Sequence, residues 1–434
     1  MSRGRKTEEG LLRGIGPAGL ALSIVNVTVG GSIFVLPAVL ARELGTAAPA
    51  AYLAGTVVMA FVALAFAEAG RRTSVSGGPY AYVERAFGRF PGYLAGLLIW
   101  LATIVACGAV GAALVDSLAS MLPPLHQPLP RALAVTFTFG LLALVNVRGV
   151  RAGTALASAA AVAKFVGLLL FVVLAARFVR GSNLGVSLPS GGGLGRATVL
   201  VIFALAGMEI PLCAGGEIRD PARTVPRALA AAALLVVLLY VAIQLIAQGV
   251  LGAGLAGSPA PLADALAGLG PAGRGLILGI GAISMVGFLG GDILGQSRVL
   301  FAFARDGLLP RALAAVHPIT RAPHVAVLVN AGVAAALAMS GSFAVLAPVA
   351  SIAIVLLYIA TCVAAWVLTR REARAASPLA GAAPLLALPG LAWVLAQSTR
   401  QEVVALALAL TAGALLYLAV RRFGAADPLP APAE

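Results

Sequence analysis

Charge is scarce in this chain: Asp, Glu, Lys and Arg make up 11% of 434 residues, against about 25% in a soluble domain. Only 16 residues are acidic, 3 are histidine and 3 are cysteine. Cys107, Cys213 and Cys362 each lie inside an apolar stretch, without the spacing of a metal site or a disulfide framework, and read as packing residues. His126, His317 and His324 fall in or beside loops and are not placed as bases or ligands. No nucleophile with a converging base and no metal set can be assembled, which argues against an enzyme; neither metal nor cofactor is expected. Ten-residue alternating strands are missing, which argues against an outer-membrane barrel. The charged start, Ser2 to Arg13, runs into an apolar stretch without a small-residue cleavage site, so no cleavable signal peptide is expected.

Apolar length is abundant: 61% of residues are hydrophobic and the mean hydropathy is +1.01, the composition of a polytopic membrane protein surrounded by lipid. A bilayer core about 30 Å thick takes about 20 apolar residues per helix. Twelve such spans are predicted: Gly16 to Ala41, Thr46 to Gly70, Pro91 to Met121, Arg131 to Val147, Thr154 to Phe178, Arg196 to Ile218, Pro226 to Leu251, Pro271 to Ala304, His324 to Met339, Phe343 to Thr369, Leu379 to Gln397 and Glu402 to Val420. The fold class is therefore all-α and integral to the membrane.

The net charge of +14 sits between the apolar segments rather than in a patch, so it sets orientation and is not a nucleic-acid footprint. With the N-terminus inside, about 21 Lys/Arg fall on the cytoplasmic side and about seven outside, as the positive-inside rule requires. Both termini are expected in the cytoplasm, and the location is the cytoplasmic membrane.

Ten spans divide into two groups of five, each opening with an apolar helix interrupted in its middle: "TVGGSIFVLP", Thr28 to Pro37, in the first span and "FALAGMEIP", Phe203 to Pro211, in the sixth. Interrupted helices at corresponding positions of two halves point to a transporter with inverted repeats. An odd number of spans per repeat forces opposite topologies. The segments are then a cytoplasmic start at residues 1–15, repeat 1 at 16–178 (spans 1–5), repeat 2 at 196–369 (spans 6–10), a two-helix hairpin at 379–420 and a cytoplasmic tail at 421–434. A broken helix exposes N–H groups at the start of its second half and carbonyls at the end of its first; the former suit a carboxylate and the latter an ammonium. Two breaks side by side form a receptor for an amino acid backbone. Glycines that merely allow close helix packing are the alternative.

At these residues the sequence resembles the amino acid, polyamine and organocation transporter family, whose fold is the leucine-transporter type. "GGSIFVLPA" is similar to its first-helix signature. "FAEAGRRTSVSGGPYAYVERAFG" (Phe66 to Gly88) resembles the second-helix end and loop, "FALAGMEIPLCAGGEIRDPARTVPRAL" (Phe203 to Leu229) the sixth helix, and "SRVLFAFARDGLLPRALAAVHP" (Ser297 to Pro318) the loop after the eighth. The resemblance covers about Leu20 to Thr369. Two departures stand out: Ser32 replaces a signature glycine, adding a hydroxyl donor, and Met208 replaces an aromatic, giving a softer lid.

The resemblance implies that amides of Gly30, Gly31, Ser32 and Ile33 hold the carboxylate, and that carbonyls near Val29, Phe203, Ala204 and Gly207 hold the ammonium, with the substrate side chain near Met208. Lys164 is about ten residues into the fifth span, near the bilayer midplane, where a charge is a functional hypothesis by default. It is either a proton carrier or a fixed cross-link from the first-helix break to the eighth helix. By resemblance its ammonium takes the place of a cation in sodium-coupled relatives, which argues against sodium coupling. Ser284 is its candidate partner. Glu209, directly after the second break, is a gate, a proton site or a structural carboxylate on freed amides. Glu68 and Glu217, at helix ends near basic loops, read as solvated ion pairs, with ion pairs that open and close with the inner gate as the alternative; Asp292 and Arg298 are six apart and pair elsewhere.

The expected function is secondary transport of a zwitterionic, neutral L-amino acid by alternating access, independent of sodium and driven by protons or exchange. A carrier or antiporter of basic amino acids or polyamines is one alternative, and a sensor that binds without transporting is another. Protons and membrane lipid are the other partners implied; oligomeric state is unreadable.

Overall fold

The computed structural model describes residues 15–72, 78–148, 150–185, 191–212, 218–305, 307–320, 322–371 and 378–423. Its α-helices are α1 (Pro17–Thr28), α2 (Leu36–Leu44), α3 (Ala48–Arg72), α4 (Pro79–Phe87), α5 (Arg89–Ala119), α6 (Pro128–Val147), α7 (Val150–Ala175), α8 (Gly191–Leu205), α9 (Glu209–Leu212), α10 (Pro221–Leu251), α11 (Pro261–Ala265), α12 (Gly270–Arg305), α13 (His324–Ser340), α14 (Phe343–Arg371), α15 (Pro378–Leu395) and α16 (Arg400–Phe423). No strand forms among the described residues; one isolated bridge joins Ile15 to Ile218. In lipid only structures that satisfy their backbone internally survive, and helices do so within one segment.

Among the described residues, eight helical stretches are long and apolar enough to cross a membrane. Four apolar helices are shorter, Pro17–Thr28, Gly193–Leu205, His324–Ser340 and Gly381–Leu395. The protein is thus a multi-pass membrane protein. The first two of the short helices are short because the chain breaks them, at the two places where glycine, serine and proline interrupt the apolar run.

Two short helices, α4 and α11, lie between the expected spans. The loop after the second span contains α4, which starts on Pro79 and stops before Gly88 at φ +94°, a conformation that favours glycine.

Two compact units interleave along the sequence. The first comprises Met1–Ile99, Val172–Pro261 and Ser351–Thr399; the second comprises Trp100–Phe171, Leu262–Ala350 and Arg400–Glu434. In the first unit α3 packs against α8, α10 and α15, and α1 lies on α10. Gly55 makes room for this: a Cβ there would meet Val201 Cγ1 at 2.6 Å. In the second unit α12 packs on α6 and α13, and α13 on α6. The α7–α12 contact is closer still, since a Cβ on Gly287 would lie 2.0 Å from that of Ala160, and one on Gly167 would lie 2.1 Å from Ile280. Small residues at such crossings let backbones approach where no hydrophobic force drives helices together.

Candidate functional site

Both breaks belong to the first unit. After α1, Val29 turns the chain at φ −74°, ψ 76°, an inverse γ-turn closed by the Gly30 amide on the Thr28 carbonyl at 2.8 Å. Gly30 is extended, Gly31–Phe34 makes a 3₁₀ turn, and α2 carries Pro37 in its first turn, at a position that needs no amide donor. Of the four amides expected to face a carboxylate, that of Gly30 is therefore committed to Thr28. In a 3₁₀ turn the capping residue's carbonyl takes the amide three residues on, here that of Ile33, so the open donors narrow to Gly31 and Ser32. The sequence could not supply this, because the γ-turn depends on ψ at Val29 and not on its side chain.

The second break follows Leu205. Gly207 has φ +113°, and a Cβ there would come within 3.1 Å of Val27 and 3.5 Å of the Thr28 backbone. The two interruptions thus lie against each other, and the φ at Gly207 is one that favours glycine. Glu209 resolves one freed donor: its Oε2 accepts the Gly207 amide at 3.0 Å and the Tyr358 hydroxyl at 2.9 Å. Of the three roles open to Glu209, this geometry matches the structural carboxylate on freed amides. Its side chain is 2% exposed.

Tyr240 of α10 was not singled out by the sequence, yet it joins the two breaks. Its hydroxyl lies 3.0 Å from the Thr28 carbonyl and 3.2 Å from that of Ala204, donating to them, and it hydrogen-bonds with the Ser32 side chain. Ser32, the departure from the family signature, therefore serves the joint itself. Tyr52 of α3 meets the Tyr240 ring edge-on with centroids 6.2 Å apart, and Phe66 does the same to Tyr358 at 5.5 Å. The only hint in the sequence is a polar tip within an aliphatic run, the V-L-L-Y of 237–240 and again of 355–358.

Val29, Gly30, Gly31, Ser32, Ile33, Ala204, Gly207 and Met208 are all buried, and Phe203 is half-buried. Met208 and Thr28 wall a cavity of about 70 Å³ together with Thr56, Leu205 and Val236. Ser351 of α14 donates to the Val199 carbonyl of α8 at 2.9 Å, fixing the first half of the second broken helix.

At the end of α3, Glu68 and Arg72 form an ion pair at 2.6 Å with 2% of each side chain exposed, so the solvated pair expected there is buried. The α4 segment packs close by, with Arg85 donating to the Arg72 carbonyl. Glu217 and Cys213 lie outside the described residues.

In the second unit Lys164 is 6% exposed, with its Nζ 5.0 Å from the Phe165 ring centroid. The Gly287–Ala160 and Gly167–Ile280 approaches place it level with Ile283 and Ser284 on α12. The Ser284 hydroxyl is buried without a hydrogen-bond partner, so the expected Lys164–Ser284 bond is not made. Asp116, with 41% of its side chain exposed, pairs with Arg131. Asp292 forms no salt bridge among the described residues; it hydrogen-bonds with Cys107.

Residues 15–417 match the family model described as "Amino acid permease". The chain is 30% identical over 338 residues to the branched-chain amino acid permease BcaP of Bacillus subtilis, covering 74% of this chain and 73% of that one. It is 26% identical over 426 residues to the serine/threonine exchanger SteT of the same organism, covering 94% and 95%. To the methylthioribose transporter of Bacillus subtilis it is 26% identical over 330 residues, covering 72% of each.

Proposed function

The chain belongs to the amino acid permease family, and from that premise we propose that it carries one zwitterionic, neutral L-amino acid across the cytoplasmic membrane by alternating access. The single observation that supports this most is the meeting of the two helix breaks, where Gly207 lies against Thr28. Open amides of Gly31 and Ser32 then receive the carboxylate. Carbonyls near Val29, Phe203, Ala204 and Gly207 receive the ammonium; a carbonyl has two lone pairs, so the Tyr240 bond on Ala204 leaves one free. Twelve spans in a five-plus-five inverted repeat (16–178 and 196–369), the hairpin 379–420 and cytoplasmic termini complete the proposed architecture.

A small or medium neutral side chain fits this reading. The relatives include a branched-chain permease and a serine/threonine exchanger. Glu209, the acid nearest the breaks, has its Oε2 engaged by Gly207 and Tyr358 and is not turned to a cationic substrate. Lys164 stands in for a bound cation, which makes transport independent of sodium and leaves protons or exchange as the drive.

The test is a thermal-stability screen of purified protein against the proteinogenic amino acids and common polyamines. A ligand at 100 times its Kd stabilises by about 2.7 kcal/mol. Stabilisation by neutral aliphatic or hydroxyl amino acids is expected; stabilisation by lysine, arginine or polyamines alone would replace the reading with a cationic carrier.

A further inference from the structure

Asp292 is used by nothing described so far. It lies well inside α12, in the second unit, where an ionisable group is costly and functional by default. One side of its carboxyl meets the Cys107 thiol of α5. The other oxygen, Oδ2, is buried and has no hydrogen-bond partner. One helical turn on, at i+4 and on the same face, Gln296 is 5% exposed and its Oε1 is also without a partner.

The hydrogen-bond inventory of this cluster is unbalanced. An ionised carboxylate offers acceptors only, whereas the Gln296 side chain offers one acceptor, Oε1, and an NH2 with two donors. The thiol is a single weak donor. Asn146 of α6 adds no donor to spare, because its Nδ2 serves the Leu142 and Gly290 carbonyls while its own Oδ1 lacks a partner. Buried polar atoms seldom stay unpaired, yet with the Gln296 amide turned as it is, its Oε1 and Asp292 Oδ2 are two acceptors with no donor between them. One proton on the Asp292 carboxyl supplies it.

The other titratable or charged groups on the packed elements are occupied or distant. On α5, Asp116 pairs with Arg131 of α6, and Arg148 at the end of α6 is exposed. His324 of α13 stacks edge-on with His317, and Arg311, in the turn that packs on α12, is exposed. On α12 itself, Arg274 pairs with Asp264, Arg298 donates to the Leu294 carbonyl and Arg305 ends the helix. Lys164 of α7 is level with Ser284, eight residues or about 12 Å of helix away.

We propose that the Asp292 carboxyl, held by Cys107, is the proton-carrying group that couples transport to a proton gradient. The inference rests on the transport reading above and assigns its driving ion. The carboxyl takes one proton from water on one side and returns it to water on the other; no bond to the substrate forms or breaks. Cys107 positions the carboxyl without itself exchanging the proton.

The experiment uses the full chain in proteoliposomes with labelled leucine and labelled serine. Exchange without a gradient and uptake driven by an inward proton gradient are measured separately. Wild type is expected to show both. Asp292→Asn is expected to keep exchange and lose all stimulation by the gradient, Asp292→Glu to retain it, and Cys107→Ala to displace the pH profile that Cys107→Ser preserves. Persistent stimulation in Asp292→Asn, or a wild type that exchanges without responding to the gradient, overturns the proposal. A wild type that binds both amino acids and moves neither overturns the transport reading itself. A second readout covers a variant too unstable to reconstitute: the infrared carbonyl stretch of a buried protonated carboxyl, expected to shift in Cys107→Ala. A band unmoved in Cys107→Ala and still present in Asp292→Asn counts against Asp292.

Discussion

Tyr240 ties two broken helices together with one hydroxyl, since it reaches the Thr28 carbonyl, which also takes the Gly30 amide, and the Ala204 carbonyl at the end of the second broken helix. Tyr240→Phe keeps the ring and its edge-on contact with Tyr52 but removes the donor. Leaving buried carbonyls without it costs about 1–3 kcal/mol. The thermal midpoint of the purified variant is expected to fall accordingly, and an unchanged midpoint would show that water or the chain replaces the bond. Lys164→Ala is expected to reduce uptake at least about tenfold, the equivalent of about 1.4 kcal/mol in a barrier. Replacing sodium by choline is expected to leave wild-type uptake unchanged, whereas a sodium requirement would remove the cation-substitute role of Lys164. At this scale the sequence reveals glycines and isolated charges readily, because their chemistry is rare inside a membrane. Tyr240 and Tyr358 stay hidden: an aromatic in an aliphatic run reads as packing until its hydroxyl is seen on a carbonyl 212 residues away.

Helix crossings depend on a few positions where a side chain has no room. Gly287→Ala would put two Cβ atoms 2.0 Å apart across the α7–α12 crossing. Overpacking of this kind costs about 1–3 kcal/mol. Gly279, on the same helix, has nothing within 4 Å of an added Cβ, so Gly279→Ala is expected to leave the thermal midpoint unchanged or raise it. Equal midpoints for the two variants would contradict the close crossing. The all-helical membrane class is plainly legible, because an apolar run of about 20 residues has few alternatives in lipid. The breaks were legible from Gly, Ser and Pro, but not which amides they free; that follows from the γ-turn at Val29 and the 3₁₀ turn after it. The α4 helix was missed because nine residues of mixed polarity carry no span signal.

For the molecule as a whole, membership of the amino acid permease family settles that it transports, and the joint of the two breaks suggests what it holds. On the proposed reading that joint recognises a backbone, through amides and carbonyls any sequence possesses, so the substrate side chain would leave little trace in residue types. Charge placement yields a sharper expectation: with cytoplasmic termini, about 21 Lys/Arg would lie on the cytoplasmic side against about seven outside. Limited proteolysis of sealed inside-out and right-side-out vesicles is expected to cut the 421–434 tail in the former only, and cleavage in right-side-out vesicles would reverse the orientation.

The most direct test of the central claim is flux of labelled leucine and labelled serine into proteoliposomes holding the purified protein, compared with Gly207→Val, which blocks the approach of the two breaks. Saturable accumulation by wild type, lost in the variant, is the result predicted; binding without flux in wild type, or full flux in Gly207→Val, would contradict it.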